Sequence, residues 1–365
     1  MYPQVRTSIC DQQHGFTKKR SPITQLLPYL DDLYNQRDIN RSTYAVYFDF
    51  RKAFDLVPYH ILLQKLAKFG FDNDFLTLFK SYLYARSQQV CINGFLSHTV
   101  DINSGVPQGS VLGPLLFIIF INDLPEKIEN SSCYLFADDS KLRSLLTKLD
   151  LQLDTDHFTE WADENGMEYN IGKIKSITFE GKTVSLDPLL LKGNIIPTVD
   201  SIKDLGIIIS NNISWDIHIQ NKLVAARKAY QFLKRSVPYT VSSAAKLMYY
   251  RLCVQSILLY GSQVWYPSLI YRRKLENFNK ECLSWVTGLQ NYSEQLTTTK
   301  TLPISYILVL YDMVFLNKAI NNKFDLNLGA YIYVSKPSKD LRSSKHQQLM
   351  PVNRCRKFST RESFF

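Results

Sequence analysis

Two neighbouring aspartates, Asp138 and Asp139, stand at the end of an apolar run, CYLFADDSKL at 133–142. Adjacent carboxylates among aromatic and aliphatic residues are costly to bury, and a cation relieves their repulsion. The run before them has the composition of a buried strand, so the sequence predicts a strand that ends in two acids. This arrangement is typical of metal-dependent phosphate chemistry.

A third aspartate, Asp49, follows another strand-like run, TYAVYFDF at 43–50. The strand period of two places Tyr47 and Asp49 on one face. If the two strands are neighbours, Asp49 meets Asp138, and two carboxylates can hold two Mg²⁺ ions that stabilise the attacking and leaving oxygens of a phosphoryl displacement. Alternatively, these acids are turn residues, because Asp is common at strand ends, and this applies above all to Asp139.

Composition indicates a globular protein with a basic surface. The 365 residues are 45% hydrophobic and 13% aromatic, which is enough for a large core and two or three subdomains and excludes a disordered chain. The formal net charge of +10 favours a polyanionic partner such as nucleic acid. Much of the excess lies in residues 331–365, which we interpret as a basic tail.

Other protein classes are disfavoured. The longest apolar runs, at 111–121 and 253–265, fall short of the roughly 20 residues that a membrane helix needs, and no signal peptide is visible. The six cysteines are scattered without a CxxC pair, which predicts free thiols and no zinc knuckle. We therefore expect an intracellular protein, nuclear or cytoplasmic, with no membrane partner.

Periodicity and turn signals predict the elements that position the acids. Helices are expected from Pro22 onward, from Pro58 to Gly70, at about 74–84, over LLFIIFINDL after the loop 104–114, through Leu151 to Gly166, from Ser214, and over about 243–259. Strands are expected at 43–50, at 89–94 with an Asn-Gly turn and a return strand, in the aspartate hairpin, and at MEYN, KSITF, LLLKGNII and KDLGIIIS. This order predicts an α+β body, a boundary near residue 212, and a helical bundle.

Three segments, in order, closely resemble the palm motifs A, B and C of reverse transcriptases: FDFRKAFD (48–55), SGVPQGSVLGPLLFIIFINDLP (104–125) and FADD (136–139). The long middle motif most resembles jockey-type non-LTR (LINE-type) retrotransposons. QHGFTKKRS (13–21) is similar to a fingers motif of that family, EWADENGMEYNIGKIKSITF to motif D, and KDLGIIIS to the primer grip. One ADD triplet is a weak signal, whereas this ordered set is highly specific.

The resemblance implies a right-hand polymerase fold of the α+β class, in which an antiparallel sheet packs on helices. Partial fingers are expected at 1–42, the palm at 43–212 with a fingers portion at about 70–103, a helical thumb at 213–290, and a connection with the basic tail at 291–365.

The resemblance also assigns the catalytic residues. Asp49 and Asp138 match the two metal-binding aspartates, the Phe50 carbonyl is an expected extra ligand, and Asp139 matches the second aspartate of motif C. The implied cofactor is a pair of Mg²⁺ ions, with Mn²⁺ as a possible substitute. Lys173 matches a lysine that protonates the pyrophosphate leaving group. Lys175 lies close enough to share that assignment, and residue 174 is Ile where the family has a small hydroxyl residue.

Four further residues match nucleotide-binding positions. Phe54 matches the aromatic that excludes the ribose 2′-hydroxyl, although spacing alone favours ordinary core packing. Gln108 and Gly109 match motif B residues that pack on the incoming nucleotide and the template, and they also suit a turn before a helix. Arg20, with the neighbouring lysines 18 and 19, either reaches the triphosphate or belongs to a solvated basic turn.

The primer side is less specific. Leu205 and Gly206 match the primer grip. Thumb cations either contact the nucleic-acid backbone or form a solvated helix face; they are Lys222, Arg227, Lys228, Lys234 and Arg235. We interpret Trp265 and Trp285 as core residues.

The function implied by the resemblance is an RNA-directed DNA polymerase with an RNA template, a DNA primer and deoxynucleoside triphosphates; its protein partners are unknown from the sequence. Only a dozen residues precede the QHGF-like segment, so a truncated fragment is expected. The alternatives are a catalytically inactive nucleic-acid-binding remnant, which the short amino end favours, and a group II intron or telomerase polymerase, which the long motif B disfavours.

Overall fold

A computed structural model describes residues 8–144, 147–179 and 188–326, so the predicted basic tail at 331–365 lies outside the described residues. The chain divides into two compact units. The first comprises Met1–Gln25 and Ile39–Asp200, and the second comprises Leu26–Asp38 and Ser201–Phe365. Helix α1, Pro22–Asp38, has its first turn in the first unit and its remainder in the second.

The centre of the first unit is a four-stranded antiparallel sheet. Its strands are β1 (Thr43–Phe48), β6 (Ser132–Phe136), β7 (Asp139–Ser144) and β8 (Lys175–Phe179), in the order β6-β7-β1-β8. The register pairs Phe48 with Ser140 across β1 and β7. The predicted aspartate hairpin and the predicted strands at 43–50 and KSITF are thereby confirmed.

Helices and small hairpins complete this unit. The helices are α2 (Ala53–Leu56), α3 (Tyr59–Lys68), α4 (Asn73–Leu83), α5 (Leu112–Phe120) and α6 (Lys148–Glu164). The short strands are β2 (Arg86–Gln88), β3 (Cys91–Ile92), β4 (Phe95–Leu96), β5 (Val100–Ile102), β9 (Leu190–Leu191) and β10 (Asn194–Ile195), with the predicted Asn-Gly turn between β3 and β4.

The apolar face of the sheet packs on the helices. Val46, Phe48, Leu135 and Leu142 belong to one buried cluster with residues of α5 and α6. Phe48 stacks on Phe158 of α6 with 3.9 Å between ring centroids. Such an aromatic pair contributes about 0.5–1.5 kcal/mol beyond the burial of its area. This packing covers one face of the sheet and fixes the strand ends that carry the acids.

Four local predictions were wrong. LLLKGNII is the hairpin of β9 and β10, because Lys192 and Gly193 take positive φ angles of 49° and 80°. MEYN is not a strand; one residue of it, Tyr169, bridges Phe50, and the chain then turns into the 3-10 segment Ile171–Lys173. The motif B helix ends at Phe120, ahead of a 3-10 turn with Pro125 near its start. KDLGIIIS is a hairpin, because Leu205 and Gly206 take positive φ angles of 46° and 85°.

The second unit joins a β-hairpin to a helical bundle. The hairpin strands are β11 (Ser201–Asp204) and β12 (Ile207–Ser210), and the helices are α7 (Asp216–Ser236), α8 (Ser243–Tyr250), α9 (Ser256–Leu259), α10 (Leu269–Thr287), α11 (Tyr292–Thr299) and α12 (Ile304–Ile320). The helix expected from Ser214 is α7, and its apolar side chains that recur from Ile219 to Leu233 are buried. A π-helical turn, Arg251–Gln255, joins α8 and α9, so the predicted helix at 243–259 is continuous but locally widened.

Within the described residues, no single helix has both the length and the apolar composition needed to cross a membrane, although the bent pair Tyr292–Thr299 and Ile304–Ile320 meets these criteria when its members are taken together.

Candidate active site

Asp49 and Asp138 lie at the same end of the sheet. Asp49 directly follows β1, and Asp138 lies in the two-residue turn between β6 and β7. Because β7 pairs with β1 and Phe48 lies opposite Ser140, the turn and the end of β1 are adjacent. The predicted meeting of these two acids therefore follows from the observed register.

The environment of Asp138 favours its neutral form. Burial raises the pKa of the Asp138 carboxyl above its ordinary value, and the nearby charge of Asp49 raises it further. A backbone hydrogen bond and the charge of Lys173 act in the opposite direction. Two coupled, partly buried carboxylates are stable as anions only beside positive charge, so the site is suited to a cation.

Lys173 supplies positive charge at this position. Its Nζ lies 3.2 Å from Oδ2 and 3.4 Å from Oδ1 of Asp49. The lysine side chain is 65% exposed and the Asp49 side chain 32% exposed, so this ion pair is partly screened by solvent. Of the two lysines that the sequence left open, Lys173 and not Lys175 contacts Asp49.

Asp139 and Phe50 differ from the central pair. Asp139 is exposed, begins β7 and lies opposite Phe136 in the hairpin. Phe50 is buried, and its ring stacks on Phe158 and Tyr169. The metal-ligand roles of Asp139 and of the Phe50 carbonyl stay predictions.

Phe54 packs as a core residue and lies in the same motif A segment as Asp49. Its ring stacks on Phe117 with 4.4 Å between centroids and meets Phe16 edge-on at 6.3 Å. The side chain is only half-buried. Core packing at one face thus makes the ring rigid, and the predicted contact with the sugar stays a prediction.

The motif B loop is bound to the end of motif A. Gln108 donates from Nε2 to Oδ1 of Asp55 at 2.6 Å, and the Val106 N–H donates to the Phe54 carbonyl at 2.8 Å. Gly105 has φ +86°, and a Cβ built on it would lie 2.5 Å from the Asp55 carbonyl oxygen. Asp55 was not singled out from the sequence, although its place at the end of FDFRKAFD was a signal.

Arg20 makes structural contacts. Its guanidinium donates to the carbonyl oxygens of Cys10, Asp11 and Gln13 and pairs with the Asp11 carboxylate at 2.9 Å. A contact with a triphosphate, as the resemblance implies, would require Arg20 to give up some of these bonds.

The predicted primer grip is the turn of the β11–β12 hairpin in the second unit. The Tyr260 hydroxyl donates to the Leu205 carbonyl at 2.9 Å, and a Cβ on Gly206 would lie 2.9 Å from Cε1 of Tyr260. Lys222 lies over the Tyr260 ring at 4.6 Å. Neither Tyr260 nor its role could be inferred from spacing, because it lies 54 residues beyond the turn.

The remaining thumb cations are on exposed helix surface. Arg227 pairs with Glu281 at 3.3 Å, and Lys234 lies over the Tyr230 ring at 5.5 Å. Lys228 and Arg235 are also exposed. Trp265 is buried as expected, whereas Trp285 is only half-buried.

A family model described as reverse transcriptase (RNA-dependent DNA polymerase) matches residues 1–209, more than half of the chain. The chain belongs to the reverse transcriptase family. The α+β polymerase fold expected from the motifs is thereby confirmed, and so is the resemblance to LINE-type enzymes.

Curated relatives of this reverse transcriptase come from mobile elements. It is 29% identical over 278 residues to the RNA-directed DNA polymerase from mobile element jockey of Drosophila melanogaster, covering 72% of this chain and 30% of the relative. It is 25% identical over 309 residues to the probable RNA-directed DNA polymerase from transposon X-element of the same species, covering 81% and 34%. The chain therefore spans about a third of the length of the curated relatives it matches.

Among solved structures, apo telomerase from Candida tropicalis aligns with a TM-score of 0.45 and 13% identity, over 80% of this chain and 54% of the telomerase chain. At this score the likeness is a loose one.

The donor set of this reverse transcriptase fits a hard divalent cation. Within the described residues no group of three or more His, Cys, Asp or Glu side chains is placed to hold a metal. Mg²⁺, however, is commonly held by one or two carboxylates together with waters and substrate phosphates. Asp49 and Asp138 provide that number, and the Lys173 ammonium shows that Asp49 accepts a cation.

We predict that Gly105→Ala lowers the free energy of unfolding by about 2–4 kcal/mol, because left-handed backbone strain adds to overlap with Asp55. Gly109→Ala is the matched control: Gly109 has φ +77° and open space around its Cβ position, so strain alone costs about 1–2 kcal/mol. Urea denaturation measures both. Equal losses would show that the loop does not depend on close approach to Asp55.

We predict that Lys173→Met strengthens Mn²⁺ binding by about two- to fivefold at pH 8, because an exposed ion pair that competes for Asp49 is removed. Lys173 lowers the pKa of Asp138, so its loss raises that pKa and moves the acid-side loss of Mn²⁺ binding to higher pH. Water-proton relaxation measures both effects. Lys175→Met is the control, and weaker Mn²⁺ binding by Lys173→Met at pH 8 would contradict this prediction.

Proposed function

We propose that this chain carries the nucleotidyl transfer site of a LINE-type RNA-directed DNA polymerase. The observation that supports this most directly is the placement of Asp49 and Asp138 at one end of the antiparallel sheet, with Lys173 on Asp49. The proposed substrates are a primer 3′-hydroxyl and a deoxynucleoside triphosphate on an RNA template.

Asp49 and Asp138 hold the divalent cations in this proposal, with Asp139 and the Phe50 carbonyl as further candidate ligands. Held there, two Mg²⁺ ions, or Mn²⁺ in their place, would neutralise the carboxylates and would supply charge stabilisation to the attacking and leaving oxygens of an in-line displacement. Asp138 binds a cation only as the carboxylate, so burial and the Asp49 charge, which both raise its pKa, couple metal binding to loss of its proton.

Lys173 is the proposed general acid. In the transfer, the primer 3′-hydroxyl gives its proton to solvent, and its oxygen bonds to the α-phosphorus as the bond from that phosphorus to the pyrophosphate oxygen breaks. The leaving pyrophosphate takes a proton from the Lys173 ammonium. The lysine side chain is mostly exposed and long, so it can leave Asp49 for a pyrophosphate oxygen. The Asp49 carboxylate that it leaves is then free to serve as a ligand.

Nucleotide selection is assigned to the motif A and motif B contacts. Phe54, held rigid by Phe117, excludes a 2′-hydroxyl by clash. The Gln108 side chain is tied to Asp55, which orients the turn through Gly109 for contact with the base and the template. We also assign Arg20 to the triphosphate side of this site, although its present contacts are structural.

The nucleic-acid partners are an RNA template and a DNA primer. The net charge of +10 supports a polyanionic partner. The hairpin turn at Leu205 and Gly206 is the proposed primer grip, and Lys222 lies in the same unit beside Tyr260. In this proposal the fingers, palm, thumb and connection occupy 1–42, 43–212, 213–290 and 291–365.

The first test is primer extension. Asp49→Asn and Asp138→Asn should each lower Mg²⁺-dependent extension on an RNA template by at least about 10³-fold, because several kcal/mol of charge stabilisation are lost. Asp139→Asn tests whether the exposed carboxylate next to Asp138 also contributes, and Asp101→Asn on exposed β5 is the matched control. Extension that survives Asp138→Asn would refute the site; primer-template binding without incorporation by the wild-type chain would select an inactive nucleic-acid-binding remnant.

The second test concerns sugar selection. Phe54→Ala should raise the efficiency of ribonucleotide incorporation relative to deoxynucleotides by about 10- to 100-fold, because the excluding ring is removed. The Phe16 ring contacts the Phe54 ring edge-on, so Phe16→Ala is the control for altered packing around Phe54. Unchanged discrimination in a folded Phe54→Ala protein would leave Phe54 with packing alone.

A further inference from the structure

Residues 12–14 bind the strand that leads into the Asp138 turn. The Leu135 N–H donates to the Gln12 carbonyl at 3.0 Å, and the His14 N–H donates to the Leu135 carbonyl at 2.8 Å. Gln13 and Leu135 form a parallel bridge. Since β6 is an edge strand of the four-stranded sheet, this segment covers its open edge.

The Gln13 side chain reaches from this segment into the turn. It is fully buried, and its Oε1 accepts from the Ala137 N–H at 2.9 Å and from the Gly15 N–H at 2.7 Å. Its Nε2 has no hydrogen-bond partner in the part of the chain that the structure describes. The oxygen is therefore the part of the amide that contributes hydrogen bonds.

The turn needs such support. Ala137 has φ 57°, a left-handed conformation that costs a residue with a Cβ about 1–2 kcal/mol and persists when its surroundings hold it. The next residue is Asp138, whose carbonyl accepts from the Ser140 hydroxyl at 3.1 Å. Gln13 thus fixes the turn on one side of Asp138 and Ser140 fixes it on the other.

The segment that carries Gln13 is itself rigid. A Cβ on Gly15 would lie 2.3 Å from the Ala137 nitrogen, so the backbone passes directly over the turn. The Arg20 guanidinium donates to the Gln13 carbonyl at 2.9 Å and to the Cys10 carbonyl at 3.1 Å. The Gln13 oxygen is consequently presented to Ala137 from a held backbone.

We propose that Gln13 is a positioning residue of the candidate active site: its Oε1 holds the left-handed Ala137 turn and thereby sets the Asp138 carboxylate beside Asp49. The inference rests on the proposed function, because it concerns how these two aspartates bind a divalent cation. Gln13 touches neither the reacting atoms nor a cation in this scheme and acts through the turn.

Two variants distinguish the role of the Gln13 acceptor oxygen from the role of side-chain size. Gln13→Met keeps the length and removes the acceptor, whereas Gln13→Glu keeps an oxygen acceptor and replaces the unpartnered nitrogen by a second oxygen, in a buried setting that favours the neutral carboxylic acid. The matched control is Gln25→Met. Gln25 is also buried and donates from Nε2 to the Leu135 carbonyl at 2.8 Å, so it contacts the same strand without contacting the turn.

Two measurements on the full chain, without primer or nucleotide, test the proposal. Mn²⁺ affinity is measured by water-proton relaxation, and hydrogen exchange is followed in peptides that cover 132–144. Gln13→Met should weaken Mn²⁺ binding by about tenfold and accelerate exchange in the hairpin, because one buried hydrogen bond to the turn is lost. Gln13→Glu and Gln25→Met should stay within about threefold of the wild-type affinity.

Three results would overturn the proposal: wild-type Mn²⁺ affinity in Gln13→Met, equal weakening in Gln25→Met, or equal weakening in Gln13→Glu. If Gln13→Met does not fold, Gln13→Asn takes its place: its shorter amide cannot reach the Ala137 N–H, so it should weaken Mn²⁺ binding whereas Gln25→Met should not. Failure of the proposed function has a different signature, namely wild-type Mn²⁺ affinity no better than that of the Asp49→Asn, Asp138→Asn double variant. Hydrogen exchange then still reports whether Gln13 holds the turn.

Discussion

The repulsion between two partly buried carboxylates, Asp49 and Asp138, is the constraint on which the rest of the first unit depends. Nothing in their own chemistry favours proximity, because burial and mutual charge both raise the pKa of Asp138. The opposing free energy comes from the hydrogen-bonded pairing of β1 with β7 and from the aromatic packing beneath it, such as Phe48 on Phe158. The site is held by the stability of the sheet.

Short-range patterns were sufficient for the elements that meet at this site. Each acid ends an apolar run, and alternation along 43–50 assigns Asp49 its face, so the strands and their common end could be predicted. The helices at 59–68 and 148–164 follow from periodicity that their buried residues confirm. The ordered motifs then indicated which chemistry to propose for the paired acids.

Contacts between distant segments could not be predicted in this way. Gln108 on Asp55 and Gln13 on the Ala137 turn depend on how the segments pack, and neither pairing leaves a periodic signal. MEYN has the composition of a strand, but it forms an isolated bridge with Phe50 and no longer ladder before the chain turns. Leu205 and Gly206 form a turn because both take positive φ angles. Glycine adopts such angles readily, so the sequence indicated a turn only through Gly206.

Residues 12–14 pair with the edge of β6, so complete folding of the β6–β7 hairpin that carries Asp138 depends on a segment far away in the sequence. Gln13 and Ala137 are separated by more than a hundred positions, so the chain between them closes into a loop later and more slowly than the β6–β7 hairpin forms. During synthesis the amino-terminal segment emerges long before the strand that it binds. Until that strand is made, the Gln13 oxygen has no turn to hold, and a hairpin without residues 12–15 lacks the acceptor for Ala137.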